Sequence, residues 1–160
     1  MDYKTIANDR IVEEEIKKSR FICHLKRISN EEEGREYIAQ IKKKHHKANH
    51  SCSAMIVGDD GQIKRSSDDG EPSGTAGVPM LTVLEKQGLT NVVAVVTRYF
   101  GGIKLGAGGL IRAYSGSVAH AIEEIGRVEI KELAGLIVNL TYSQYQVFSN
   151  FLEKEGLQEF

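Results

Sequence analysis

NVVAVVTRYFGGIKLGAGGLIRAY, residues Asn91 to Tyr114, changes character twice within one short stretch. Val92 to Val96 is a β-branched run too short for a helix core, which predicts a strand buried on both faces. Polarity returns at Thr97-Arg98-Tyr99-Phe100, and Gly101, Gly102, Gly106, Gly108 and Gly109 then supply a loop whose backbone tolerates close approach and positive φ. From about Ala107 the apolar spacing turns helical, through Leu110, Ile111, Tyr114, Val118, Ala121, Ile122 and Ile125. A strand, a glycine loop and a helix start in succession form a common place for a binding site.

The 160 residues suffice for one good core and part of a second unit. With 41% hydrophobic and 27% charged residues the composition is that of an ordinary folded protein, not a disordered or fibrous one. A formal charge of -1 removes bulk electrostatics as an argument for nucleic acid, so any such contact needs a local basic patch. Cys23 and Cys52 lack metal-like spacing and read as buried thiols of a reducing compartment. No stretch resembles a signal peptide or has the apolar length to span a bilayer, so a cytoplasmic location with no membrane partner is expected.

Upstream, residues 3 to 28 alternate as two or three half-buried antiparallel strands, with Ser19-Arg20 read as a solvated strand edge. Asn30 followed by Glu31, Glu32 and Glu33 predicts a capped helix start, and Tyr37, Ile38 and Ile41 give that helix its buried stripe. It closes on Lys42-Lys43-Lys44-His45-His46-Lys47, a solvated basic terminus. His45, His46 and His50 have no acidic or cysteine partner at metal-ligand spacing, and no metal is expected. Ser51 to Gly58 and Gln62 to Ser67 flank Asp59-Asp60-Gly61 as a hairpin.

The next loop, Asp68 to Gly77, holds Asp68, Asp69, Glu71, Ser73 and Thr75, three carboxylates and two hydroxyls within eight residues. A helix over Val78 to Gln87 follows, with Pro79 in its first turn and Ser73 or Thr75 as its cap; free amides there would suit an anion. After Gly126, Arg127 to Ala134 reads as a strand, and a boundary falls near Leu133-Ala134-Gly135. Leu136 to Leu140 then reads as a strand, and Ser143-x-x-Gln146 opens a helix carrying Val147, Phe148, Phe151 and Leu152.

Known chemical fingerprints fail. Gly106-Ala107-Gly108-Gly109-Leu110-Ile111 puts Ile111 at the third glycine of a dinucleotide motif. Lys104 precedes the glycines rather than following them as in a phosphate-binding P-loop, and neither Ser73 nor Ser115 makes a nucleophile elbow. What survives is Arg98, Lys104 and Arg112 beside Tyr99 and Phe100, cations next to stacking surfaces of the kind used for unpaired nucleic acid. The same cations would equally pair with Asp68, Asp69 and Glu71 to lock two loops together, and the sequence leaves both readings open.

DDGEPSGTAGVPML (Asp68 to Leu81) and VVTRYFGGIKLGAGGLIRAY (Val95 to Tyr114) closely resemble the signature of the Impact/YigZ family, and the resemblance extends to Lys18-Ser19-Arg20-Phe21 and Lys47-Ala48-Asn49-His50. It implies an α+β fold like the second domain of a small-subunit ribosomal protein, a two-layer α/β sandwich with a mixed sheet and helices on one face, over residues 1–134. It also implies that residues 135–160 begin a ferredoxin-like domain similar to one in elongation factor G, as a first strand and helix. Family members continue for a further strand pair and helix, whereas this sequence stops at Phe160, so that unit is expected to be incomplete.

Eukaryotic relatives of the resembled family regulate translation by competing with the activator of a stress kinase that phosphorylates an initiation factor. Bacterial relatives lack that kinase, so the resemblance carries over a looser translation-associated role with RNA or the ribosome as partner. The family brings no catalytic residue and no cofactor. The residues it marks are His50, Asp68, Asp69, Gly70, Glu71, Pro72, Ser73, Thr75, Arg98, Tyr99, Phe100, Gly101, Gly102, Lys104, Gly106, Gly109 and Arg112. The expectation is a binding protein rather than an enzyme, with two alternatives: a protein-interaction regulator of translation, and a phosphate-ester-binding enzyme or sensor.

Overall fold

The computed structural model describes residues 2–133 and 136–140. Strands β1 (Tyr3–Ile6), β2 (Arg10–Ile16) and β3 (Ser19–Arg27) lead to helix α1 (Glu31–Lys44). Strands β4 (His50–Val57) and β5 (Ile63–Ser67), helix α2 (Gly77–Lys86) and strand β6 (Val92–Tyr99) follow, and then come helix α3 (Gly106–Ile125) and strands β7 (Arg127–Leu133) and β8 (Leu136–Leu140). The main sheet has five strands in the order β2-β3-β6-β4-β5. The valine-rich run therefore lies in its central strand, β6, and Val92 to Arg98 is buried throughout, as the continuous apolar run requires.

Alternation along β6 separates two cores. Val92, Ala94 and Val96 pack with Cys23, Leu25, Cys52, Ala54 and Ile56 under α2 and α3, where Met80, Leu84, Leu110, Tyr114 and Val118 complete the larger core. Val93 and Val95 point the other way and join Ile28, Met55 and Val57 against Ile41, Tyr37 and Ile38 of α1. The α+β class holds, with two differences from the expected layout. Every pairing within the five-stranded sheet is antiparallel rather than mixed, and helices cover both faces rather than one. The second follows from β6, which has apolar residues on each side and so needs a cover on each.

Helix α1 starts with a reciprocal cap: Glu33 N–H donates to Asn30 Oδ1 at 2.8 Å, and Glu33 Oε2 accepts from Ser29 N–H at 2.8 Å. A smaller sheet has the order β1-β7-β8, so β1 pairs with β7 rather than with its sequence neighbours β2 and β3. The strand expected at Leu136 to Leu140 is β8, hydrogen-bonded to β7. The boundary residues Ala134-Gly135 and the helix expected from Ser143 lie outside the described residues.

Candidate functional site

Register brings the marked segments to one end of the main sheet. Arg98 sits between Phe21 on β3 and His50 on β4, and Tyr99 lies opposite Arg20. Since successive side chains of a strand face opposite ways, Arg98 enters the larger core while Tyr99 lies on the α1 side.

Arg98 is only 5% exposed. Its Nη1 meets Glu71 Oε2 at 2.9 Å, and Nε and Nη2 each donate to Ser19 Oγ at 3.3 Å. Glu71, itself buried, accepts from the Tyr114 hydroxyl at 2.5 Å and faces His50 Nε2 at 3.3 Å. Nδ1 of His50 lies 2.9 Å from the Asp69 carbonyl oxygen. Four elements and the 68–77 loop are thus tied through one carboxylate, and partners on every side are what a buried charge pair requires.

The other two acids of the loop are also engaged. Asp68 accepts from the amides of Gly74 at 2.9 Å, Ala76 at 3.1 Å and Gly77 at 2.9 Å, so it caps α2. Partial burial raises the Asp68 pKa, but these donors outweigh burial and hold the carboxyl below its ordinary value. Ser73 and Thr75 therefore do not cap the helix: Ser73 is exposed, and Thr75 Oγ1 donates to the Pro72 carbonyl at 2.5 Å. Asp69 accepts from Ser51 N–H at 2.7 Å and from Lys42 Nζ at 3.0 Å.

On the outer surface, Tyr99 is enclosed: its hydroxyl lies 2.7 Å from His45 Nδ1, and the Arg20 guanidinium covers its ring at 5.1 Å. Phe100 is 45% exposed, and its N–H donates to Asn49 Oδ1 at 2.8 Å. At Gly101 a Cβ would come within 1.8 Å of the Lys18 carbonyl oxygen, so this residue lets the loop lie directly on the β2–β3 turn. Gly102 and Gly106 adopt φ of 94° and 73°. Lys104 and Arg112 are exposed, and Leu105, the N-cap of α3, gives the helix no side-chain cap. Lys17, Lys18, Lys104 and Arg112 form no ion pair among the described residues.

Sequence reasoning marked both sides of the network but missed three members. Ser19, read as a solvated edge, is wholly buried and also lies 3.4 Å from the Gly101 N–H, while Arg20 is exposed and pairs with Glu13. Tyr114 looked like one more apolar helix position, and Cys52 like a core thiol. Cys52 Sγ donates to the Asp68 carbonyl at 3.0 Å, and burial, chiefly, pushes its pKa up to about 12. Burial likewise raises the Tyr114 hydroxyl, so neither group supplies a nucleophile near neutral pH. The three central histidines diverge, to Tyr99, to the Lys43 carbonyl and to Asp69 with Glu71. Among the described residues no helix is long and apolar enough to cross a membrane.

The chain is 54% identical over 139 residues to the IMPACT family member YvyE of Bacillus subtilis (strain 168), covering 87% of this chain and 64% of that protein. It is 44% identical over 147 residues to an IMPACT family member of Haemophilus influenzae (strain ATCC 51907 / DSM 11121 / KW20 / Rd), covering 90% of this chain and 71% of that one. A crystal structure described as that of an hypothetical protein superposes with a TM-score of 0.76 at 37% identity, over 96% of this chain and 75% of the other. The Impact N-terminal domain matches residues 17–122, which include every residue of the Glu71 network, and the chain belongs to the Impact family.

Proposed function

We propose that the chain is a non-enzymatic, translation-associated binding protein of the cytoplasm that contacts RNA or the ribosome, with the 68–77 loop building the site and the 98–112 loop presenting it. The division into a first domain over 1–134 and a second unit from 135 belongs to the same proposal. One observation carries it. Asp68 is held by amides, Asp69 by Lys42 and Ser51, and Glu71 by Arg98 and Tyr114, while Lys17 and Lys18 of the β2–β3 turn, on which Gly101 lies, and Lys104 and Arg112 of the 98–112 segment form no ion pair among the described residues. A chain of net charge -1 thereby shows phosphate a local excess of positive charge. Arg98, expected to touch phosphate, instead supports the loop from beneath. The translation-associated role that the resemblance implies points the same way.

The test is titration of a labelled RNA carrying both stems and loops, at rising salt. Lys104→Ala/Arg112→Ala is expected to weaken binding and to flatten the plot of log affinity against log salt by about 1.4 to 1.8. Affinity and slope unchanged in that variant would remove these cations from the interface. A second reading, a protein-interaction regulator, draws support from Ile103 and Ile111, 42% and 41% exposed beside the same loop. It predicts a nuclease-resistant partner that Ile103→Ser/Ile111→Ser releases. The phosphate-ester reading draws none from α2, because Asp68 occupies the place an anion would take.

A further inference from the structure

Phe100 closes a stack that begins in the core. Tyr114 meets Phe21 edge to face at 5.3 Å, the Arg98 guanidinium lies 5.6 Å from the Phe21 ring, and the same guanidinium lies 5.3 Å from the Phe100 ring. The first three are buried and Phe100 is 45% exposed, so its exposure lies on the side away from Arg98. It is also held rigidly: Asn49 fixes its amide, and Gly101 lies against the Lys18 carbonyl. An exposed aromatic with a cation behind it and a fixed backbone is a platform lacking only its last layer. Tyr99 cannot share this role, because Arg20 covers its ring and its hydroxyl is tied to His45.

Resting on the reading of the site as an RNA contact, we propose that its ligand is unpaired RNA, with one base stacked on the outer face of Phe100 and the flanking phosphates held by Lys18 and Lys104. Cations alone favour the opposite selection, since a duplex carries the denser charge. Inside a duplex the bases show their edges and not their faces, so away from a duplex end the stack is completed by a base free to leave its own helix.

The chain has no tryptophan, so Phe100→Trp installs a single reporter where the base is expected. The full chain is titrated at matched salt with a short unpaired oligoribonucleotide, the same strand in a duplex whose two ends are blocked by bulky chemical caps, and the same strand with abasic positions. The expected result is about tenfold tighter binding of the unpaired strand than of the other two. Phe100→Leu abolishes that preference and leaves the salt slope unchanged, and Phe100→Trp emission is quenched by the base-bearing strand alone. Equal binding of all three strands, or a preference that survives Phe100→Leu, overturns the stacking proposal while leaving the RNA contact standing. Salt-independent or absent binding of every form overturns the RNA reading itself, and this proposal with it.

Discussion

Glu71 and Arg98 meet at 2.9 Å with side-chain exposures of 3% and 7%, one from a loop and the other from the central strand of the main sheet. Their charges are expensive to separate, because either one alone would be buried without a counter-charge. Arg98→Met is expected to cost about 3–5 kcal/mol in urea denaturation. In the cycle completed by Glu71→Met and the double variant, the double should cost less than the sum of the singles by more than about 1 kcal/mol. Simple additivity would mean that the pair is not coupled.

Asp68 links stability to pH in a definite direction. Burial works to raise its pKa, but the Gly74, Gly77 and Ala76 amides hold the folded carboxyl below its ordinary 3.8. A lowered carboxylate pKa contributes stability that is present above the unfolded value and is lost as pH falls through the folded one. Asp68→Asn keeps an oxygen that can accept from Ala76 and Gly77 but loses the charge, so it should destabilise by about 0.3–1 kcal/mol at pH 7. The difference from wild type should shrink at the acid end of a denaturation series. A difference that is constant with pH would show that the charge of Asp68 contributes nothing.

The architecture was legible where one residue type serves one purpose. The valine run gave the central strand, Asn30 with Glu33 gave a capped helix, and Asp59-Asp60-Gly61 gave the hairpin between β4 and β5. The site was legible as two stretches that belong together, but the roles within it were not. Whether Arg98 points outward or inward depends on strand parity relative to a sheet whose faces are set by α1, α2 and α3, and that parity cannot be read from Arg98 itself. The cap of α2 was misplaced for a similar reason: Asp68 reaches Gly77 across nine residues, whereas local rules look three residues back. The partner of β1 was hidden too, since β7 lies at the far end of the domain in sequence.

His24 is wholly buried on the α1 side. Its Nδ1 lies 3.1 Å from the Val95 carbonyl oxygen, leaving Nε2 without a partner, while the His45 ring packs at 5.4 Å. Burial, above all, lowers its pKa from 6.5 to about 4. The unfolded chain thus binds this proton more readily than the folded one, so the contribution is intact above pH 6.5 and is lost as pH falls toward 4. The loss at this site amounts to about 3 kcal/mol. His24→Leu removes both the orphaned nitrogen and the titration. Its stability should change by less than about 1.5 kcal/mol at pH 7 and should exceed that of wild type near pH 4.5. Parallel pH profiles for the two proteins would rule out His24 as a source of acid sensitivity.

Three glycines with similar sequence surroundings should respond to alanine in three ways. At Gly101 the new Cβ meets the Lys18 carbonyl at 1.8 Å, a backbone atom that cannot rotate aside, and the β2–β3 turn must separate from the loop. Gly101→Ala is expected to cost at least about 3 kcal/mol and to weaken RNA binding together with stability. At Gly102 the space is open but φ is 94°, so alanine pays only backbone strain, about 1–2 kcal/mol. Gly116 lies inside α3 with nothing within 4 Å of its Cβ position and no positive φ, and here alanine should stabilise by about 0.5–1 kcal/mol. Chemical denaturation of the three variants orders them directly. If Gly101→Ala proved no worse than Gly102→Ala, the close seat of the 98–112 loop on Lys18 would be wrong, and with it the rigid placement of Phe100.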